Sequence, residues 1–188
     1  MSKSRSLLKA IRFPAWRGGK AFARDQRGTT AIEFGLLAIP FFALVGATLE
    51  TGLVSLAGQI LDSAVQDSSR LIRTGQAQTA NYNAALFEDA ICDGLYGMFT
   101  CNELRVRVTV MVDFATAMAA SPVVASGPNA GQWSIVEDYD DGVRDSIILV
   151  EAHYKWPVIL NIGGFTLEDQ PGGTRLLSAV RVFRNEPF

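Results

Sequence analysis

Four groups of side chains in this sequence are of types that do chemistry: a glutamate, Glu33, at the head of an uncharged run; a lone histidine, His153; an acidic run, Glu137-Asp138-Tyr139-Asp140-Asp141-Gly142; and two cysteines, Cys92 and Cys101. A histidine works as a general base when a nucleophile lies beside it, and no spacing here places a Ser or Cys next to His153. It falls on the polar side of a predicted strand, where a surface or structural role is expected. The acidic run offers the oxygens that calcium takes, but it lacks the spacing of an EF-hand loop and its closing glutamate, so a solvated loop is expected. Two cysteines and one distant histidine are too few for a structural zinc site. The glycine pairs form neither a dinucleotide fingerprint nor a phosphate loop. Arg105 and Arg107 share one face of a predicted strand and are expected to be solvated. Trp133, Tyr139, Tyr154 and Trp156 are expected in a core or an interface rather than a ligand stack. No motif supports catalysis, and none asks for a cofactor or metal; the expectation is a protein that is not an enzyme.

Glu33 is different because an apolar run lies directly behind it. Residues 34–49 carry no charge, and from Phe34 to Leu61 only Glu50 does. A bilayer core takes about 20 apolar residues in a helix, and residues 33–56 supply them, with Glu50 near the outer edge. A carboxylate at the centre of such a span costs about 2.5–3.5 kcal/mol, and less near the interface. A bare anchor has no use for it, so Glu33 is a functional candidate. The structural alternative is local: Glu33 lies three residues after Thr30, as in a capping box.

The net charge of −2 conceals an asymmetry. Residues 1–27 hold eight basic side chains against Asp25 alone, a net of +7, and residues 28–188 carry a net of −9. A basic arm before an apolar span is the positive-inside pattern, which keeps the arm in the cytoplasm and exports the rest. The arm is read as an orienting leader, with a short amphipathic piece at Leu7–Phe13 lying on anionic lipid, and not as a nucleic-acid-binding tail. Cys92 and Cys101 then fall in the exported part, where a disulfide persists. Closing so short a loop stabilises by about 2–3 kcal/mol. Two buried reduced thiols are the other reading.

The elements that must position these residues are set by periodicity. A leader covers residues 1–28. Residues 29–75 read as one transmembrane and stalk helix of about 65 Å, with Pro40 expected to kink it and Thr74-Gly75 expected to end it. Leu53, Leu56, Ile60, Ala64, Leu71 and Ile72 recur near the helical period and form the expected buried stripe. Residues 76–188 read as a small α+β domain. Tyr82 to Met98 is an expected helix; Leu104–Phe114, Ser146–Trp156 and Thr174–Arg184 are expected strands. Pro157 is expected to end the second strand or set it at an edge. Loops join the strands, so an antiparallel sheet is expected. Residues 115–145 read as a long loop, and Gly163-Gly164 and Gly172-Gly173 as turns.

Arg27-Gly28-Thr29-Thr30-Ala31-Ile32-Glu33-Phe34, with the apolar span behind it, resembles the class III or Flp-type prepilin cleavage motif. More narrowly it resembles the TadE-like pseudopilins of the Flp/Tad tight-adherence pilus system. The closing run Leu177-Ser178-Ala179-Val180-Arg181-Val182-Phe183-Arg184-Asn185-Glu186-Pro187-Phe188 is similar to the end of such proteins. The resemblance implies a processing site between Gly28 and Thr29, cut by a prepilin peptidase at the cytoplasmic membrane surface. Glu33 then becomes the fifth residue of the mature chain and Phe34 the sixth, with Glu33 pairing with the terminal ammonium of a neighbouring helix and setting register. Phe34 stands where the main Flp pilin has Tyr, and that pilin is much shorter; both features imply an accessory subunit. The implied partners are other Tad pilus assembly proteins and pilin-like helices, the peptidase and membrane lipid. The implied place is the bacterial inner membrane, crossed once, with the N-terminus cytoplasmic and the C-terminal domain periplasmic. Small residues at 35, 38, 43, 46, 47, 52, 55, 57 and 58 allow close helix approach. A membrane-tethered periplasmic ligand-binding or sensory domain is the alternative expectation.

Overall fold

Hydroxyl residues, an uncharged run and then an amphipathic run fold as a single helix, α1, over Thr29–Arg73. It runs through Pro40, whose missing N–H a long helix tolerates when its neighbours hold the turn. The computed structural model describes residues 28–188, so the leader and the piece at 7–13 lie outside the described residues. The chain divides into two units, Met1–Phe42 and Ala43–Phe188. In the first, residues 29–42 are helical and none is buried.

The second unit holds the core. Its part of α1 buries Val54, Ala57, Leu61, Ala64, Val65 and Ile72 at helical spacing. Leu53 and Leu56, expected in that stripe, are exposed, and the buried face is turned by about one residue. Close approach explains the difference. A Cβ added to Gly94 would lie 2.9 Å from the Cβ of Ala64, so a glycine and an alanine set a point of close approach, with Leu61, Val65 and Ile72 buried in the same core.

After α1, Gly75 takes the left-handed conformation, with φ +78°, and Phe188 packs on its open side, where an added Cβ would run into the ring. A short α2 (Gln76–Thr79) leads to α3 (Ala84–Asp93). Asn83 caps α3 by accepting the N–H of Leu86 at 3.0 Å. The expected helix at 82–98 is therefore shorter; the chain turns at Gly94 and reaches positive φ at Tyr96 and Gly97. Phe87, Ile91 and Leu95 enter the core, and Leu86 does not. A disulfide joins Cys92 at the end of α3 to Cys101, with Cα atoms 6.0 Å apart.

The sheet has the order β2-β1-β3-β6, from β1 (Arg105–Met111), β2 (Asp138–Tyr139), β3 (Ile147–Pro157) and β6 (Thr174–Arg184). β3 is central and antiparallel to both long neighbours, running from Ile147↔Arg184 to Pro157↔Thr174 against β6. Pro157 is its last residue, and the next bond across to the β6 side comes from the Val158 N–H, which donates to the Gly173 carbonyl at 2.8 Å. The expected antiparallel sheet has one parallel addition, β2 beside β1, because the 112–137 connection is long enough for a parallel return. A hairpin of β4 (Asn161–Ile162) and β5 (Phe165–Thr166) turns at Gly163-Gly164 between β3 and β6.

Alternation sends Ile148, Val150, Ala152 and Tyr154 of β3 and Leu177 and Ala179 of β6 into the core with the buried side chains of α1. The other face carries Ile147, Leu149, Glu151 and His153, all buried as well. Part of its cover is the long loop. Trp133 lies 4.3 Å from the Lys155 Nζ, Lys155 donates to the Gly131 carbonyl at 2.6 Å, and Phe114 lies under Arg184. That loop buries Pro122 and Val123 and makes a bridge between Val123 and Trp133.

Candidate functional site

The head of α1 is built from residues that ask nothing of their own chain. A Cβ added to Gly28 or Gly35 would meet no atom within 4 Å, so among the described residues no packing demands glycine at either place. Glu33 and Phe34 are exposed. The helix starts at Thr29, which puts Thr30 inside its first turn, and among the described residues no capping bond joins Thr30 and Glu33. Phe34, Leu37, Ala38, Phe41 and Phe42 line an open apolar cleft. Through Leu49 no residue of α1 is buried, and the helix is long and apolar enough to cross a membrane. That makes a single-pass membrane protein the coarse assignment.

Glu50 is the first buried residue of α1, and its role was not legible as the edge of a span. Its Oε1 accepts the N–H of Ile159 at 2.6 Å and that of Leu160 at 3.0 Å, which fastens the base of the β4–β5 hairpin to the helix. Gly46 permits this, since Leu160 Cδ1 lies 3.1 Å from where its Cβ would be. Glu50→Ala is expected to destabilise the domain by about 2 kcal/mol, because charge-assisted bonds are lost and two donors are left without a partner. Urea unfolding of the detergent-solubilised chain reads this; an unchanged midpoint removes the role.

The other candidate residues are placed for structure. His153 is 2% exposed, not on a solvated face: the loop cover makes the second face of β3 an interior. Its Nδ1 lies 2.9 Å from the Ser178 Oγ, and its Nε2 is buried without a partner. Burial, and then the Arg107 charge, push its pKa down from 6.5 to about 4. The folded state therefore holds a neutral ring. As pH falls below 6.5 the unfolded chain takes a proton that the folded chain refuses until about pH 4, so stability is lost across that window, by about 3 kcal/mol in full. His153→Gln is expected to flatten the fall in urea midpoint between pH 7 and pH 4.5; an unchanged slope rejects it.

Arg107 is not solvated either. Its Nε and Nη2 lie 2.6 and 2.5 Å from Oε2 of Glu151, whose side chain is fully buried. Arg105 reaches Glu137 at 3.3 Å and lies near Trp133. The acidic run is spread over local bonds: Asp138 and Tyr139 form β2, Asp140 accepts the Gly142 N–H, and Tyr139 donates to Asp141. Among the described residues no group of three or more His, Cys, Asp or Glu is placed to hold a metal. Tyr154 and Trp156 pack edge-on against Phe99, and Tyr139 packs at a tilt against Phe87, within or beside the core.

The closing run returns to the end of α1. The Glu186 N–H donates to the Arg73 carbonyl at 2.9 Å, and their side chains pair at 3.5 Å. Arg181 reaches Asp62 of α1 at 2.5 Å.

Residues 28–70, the length of α1 from its head almost to its end, match the family model described as TadE-like protein. The match covers less than a quarter of the chain and stops short of the sheet. No curated protein and no solved structure matches the chain.

Proposed function

We propose, from the TadE-like match over residues 28–70, that the chain is a minor pseudopilin or inner-membrane platform subunit of Flp/Tad pilus assembly. It works by helix packing and protein contact, without catalysis. The observation that supports this most directly is the unburied stretch of α1. Among the described residues no side chain from Thr29 to Leu49 is buried, and the only acid in that stretch stands at its head. Lipid can cover the apolar surface, but it offers nothing to a carboxylate.

A second pilin-like helix offers both. Displaced by about one turn, it brings its terminal ammonium to Glu33, and in low dielectric such a pair holds only when both charges are present. Gly35, Gly52 and Gly58 meet no atom within 4 Å of an added Cβ, so each leaves a shallow place where another backbone can approach. In this arrangement the leader stays cytoplasmic, a prepilin peptidase cuts after Gly28, and the α+β domain stands in the periplasm.

Mass spectrometry of the chain purified from its native membrane tests the processing step. The expected product begins at Thr29. A chain that keeps residues 1–27 in a working assembly complex removes the pseudopilin form and leaves the platform form. A chain cut beyond Glu33 removes both.

A further inference from the structure

Residues 156–167, Trp-Pro-Val-Ile-Leu-Asn-Ile-Gly-Gly-Phe-Thr-Leu, form an uncharged stretch between Lys155 and Glu168. It folds into the β4–β5 hairpin and its approach. Ile159 and Phe165 are each 85% exposed, and Ile162 is partly exposed. Single exposed apolar residues are ordinary, whereas a grouped set on one projecting element marks a contact surface.

The position of the hairpin names the partner. Its base is held to α1 at Gly46 and Glu50, where the uncharged run of the helix ends. Leu44 and Leu49, within a turn of these residues along α1, are exposed. An open cleft of about 350 Å³ separates hairpin and helix, lined by Ala47, Leu160, Ile162 and Phe165 among others. Two uncharged apolar segments thus meet at one level of the molecule, and the single carboxylate there is turned inward and spent on two backbone N–H groups. The hairpin also meets the conditions of the boundary rather than of the hydrocarbon centre. Its two strands are two residues each and leave open edges, which lipid tails do not tolerate. Asn161 accepts the Gly164 N–H at 3.2 Å, so the turn carries its own polar bond.

We propose that the β4–β5 hairpin is an interfacial foot. It rests at the headgroup and acyl boundary of the bilayer that α1 crosses, with Ile159, Ile162 and Phe165 in lipid and Glu50 fixing its height against the helix. This rests on the membrane-spanning reading of α1.

The test uses the full chain, disulfide intact, in vesicles of phosphatidylcholine and phosphatidylglycerol. Spin labels are attached to Phe165→Cys, to Leu44→Cys in the span, and to Val143→Cys at the opposite end of β3. Oxygen concentrates in acyl chains and a chelated nickel stays in water. The expected ratio of oxygen to nickel accessibility is several-fold higher at 165 and at 44 than at 143. A label at 165 that behaves like the one at 143, while 44 reports lipid, overturns the foot and leaves the span. A label at 165 closed to both reagents means protein covers it, a second copy included, and also overturns the foot. A label at 44 that reports water overturns the span and the foot together. Ile159→Cys, read in the same way, replaces Phe165→Cys should the latter fail to fold.

Discussion

Cells whose only copy of the chain carries Glu33→Ala are expected to lose pilus assembly and surface adhesion almost completely, with normal amounts of the protein in the membrane. Glu33 is exposed at the head of α1 and, among the described residues, no partner for it is seen, so its removal takes nothing from the fold. The burial that α1 contributes begins seventeen residues later, at Glu50. The charge carries an insertion cost of up to about 2.5–3.5 kcal/mol, which the ammonium of a neighbouring helix would offset. Glu33→Gln separates charge from hydrogen bonding and is expected to fail as Ala does, because an amide oxygen accepts a bond from an ammonium but does not neutralise its charge. Immunoblots of sheared surface fibres and an adhesion assay read the result. Adhesion equal to that of the parent, at equal protein levels, would leave the chain as a tethered domain without this role in assembly.

The second large effect lies inside the domain. Arg107→Met is expected to destabilise it by about 3–5 kcal/mol, since it leaves the fully buried Glu151 without its countercharge. In a unit of this size that lowers the melting temperature by about 10 °C. Oε1 of Glu151 already lacks a partner, so nothing else in the site can take over the charge. The double replacement Arg107→Met with Glu151→Leu is expected to recover most of the loss, because an apolar pair of similar volume carries no desolvation cost. Urea unfolding of the four proteins gives the coupling energy. A loss below about 1 kcal/mol for Arg107→Met would mean that water reaches Glu151 and that the pair is an ordinary surface bridge.

Long, strongly periodic segments were legible from the residues alone. Thr174–Arg184 has the bounds its alternation predicts, β3 is displaced by one residue, and α1 begins and ends within a residue or two of the helix its periodicity predicts. The resemblance at Gly28, Glu33 and Phe34 rests on local order in the chain and coincides with the family match. What escaped depends on distant chain. His153 and Arg107 read as solvated because alternation identifies two faces and says nothing about a loop folding over the second. Leu53 and Leu56 read as core because they recur near the helical period, while the buried face, with Val54, Ala57, Leu61 and Ala64, lies about one residue further on. β2 and the β4–β5 strands are two residues long, too short for any period. Glu50 read as the rim of a span because its two partners lie more than a hundred residues away.

β6 is the last strand to be made, and the sheet is incomplete without it. Its neighbour β3 is central, and for eleven registered pairs its second edge has no other strand to bind. Until β6 has been made and placed, that edge offers a row of open amides and carbonyls beside apolar side chains, a template for a wrong strand. Synthesis therefore passes through a sticky half-finished sheet. A stalled or C-terminally clipped chain would be a substrate for chaperones and proteases rather than a weakened version of the finished protein.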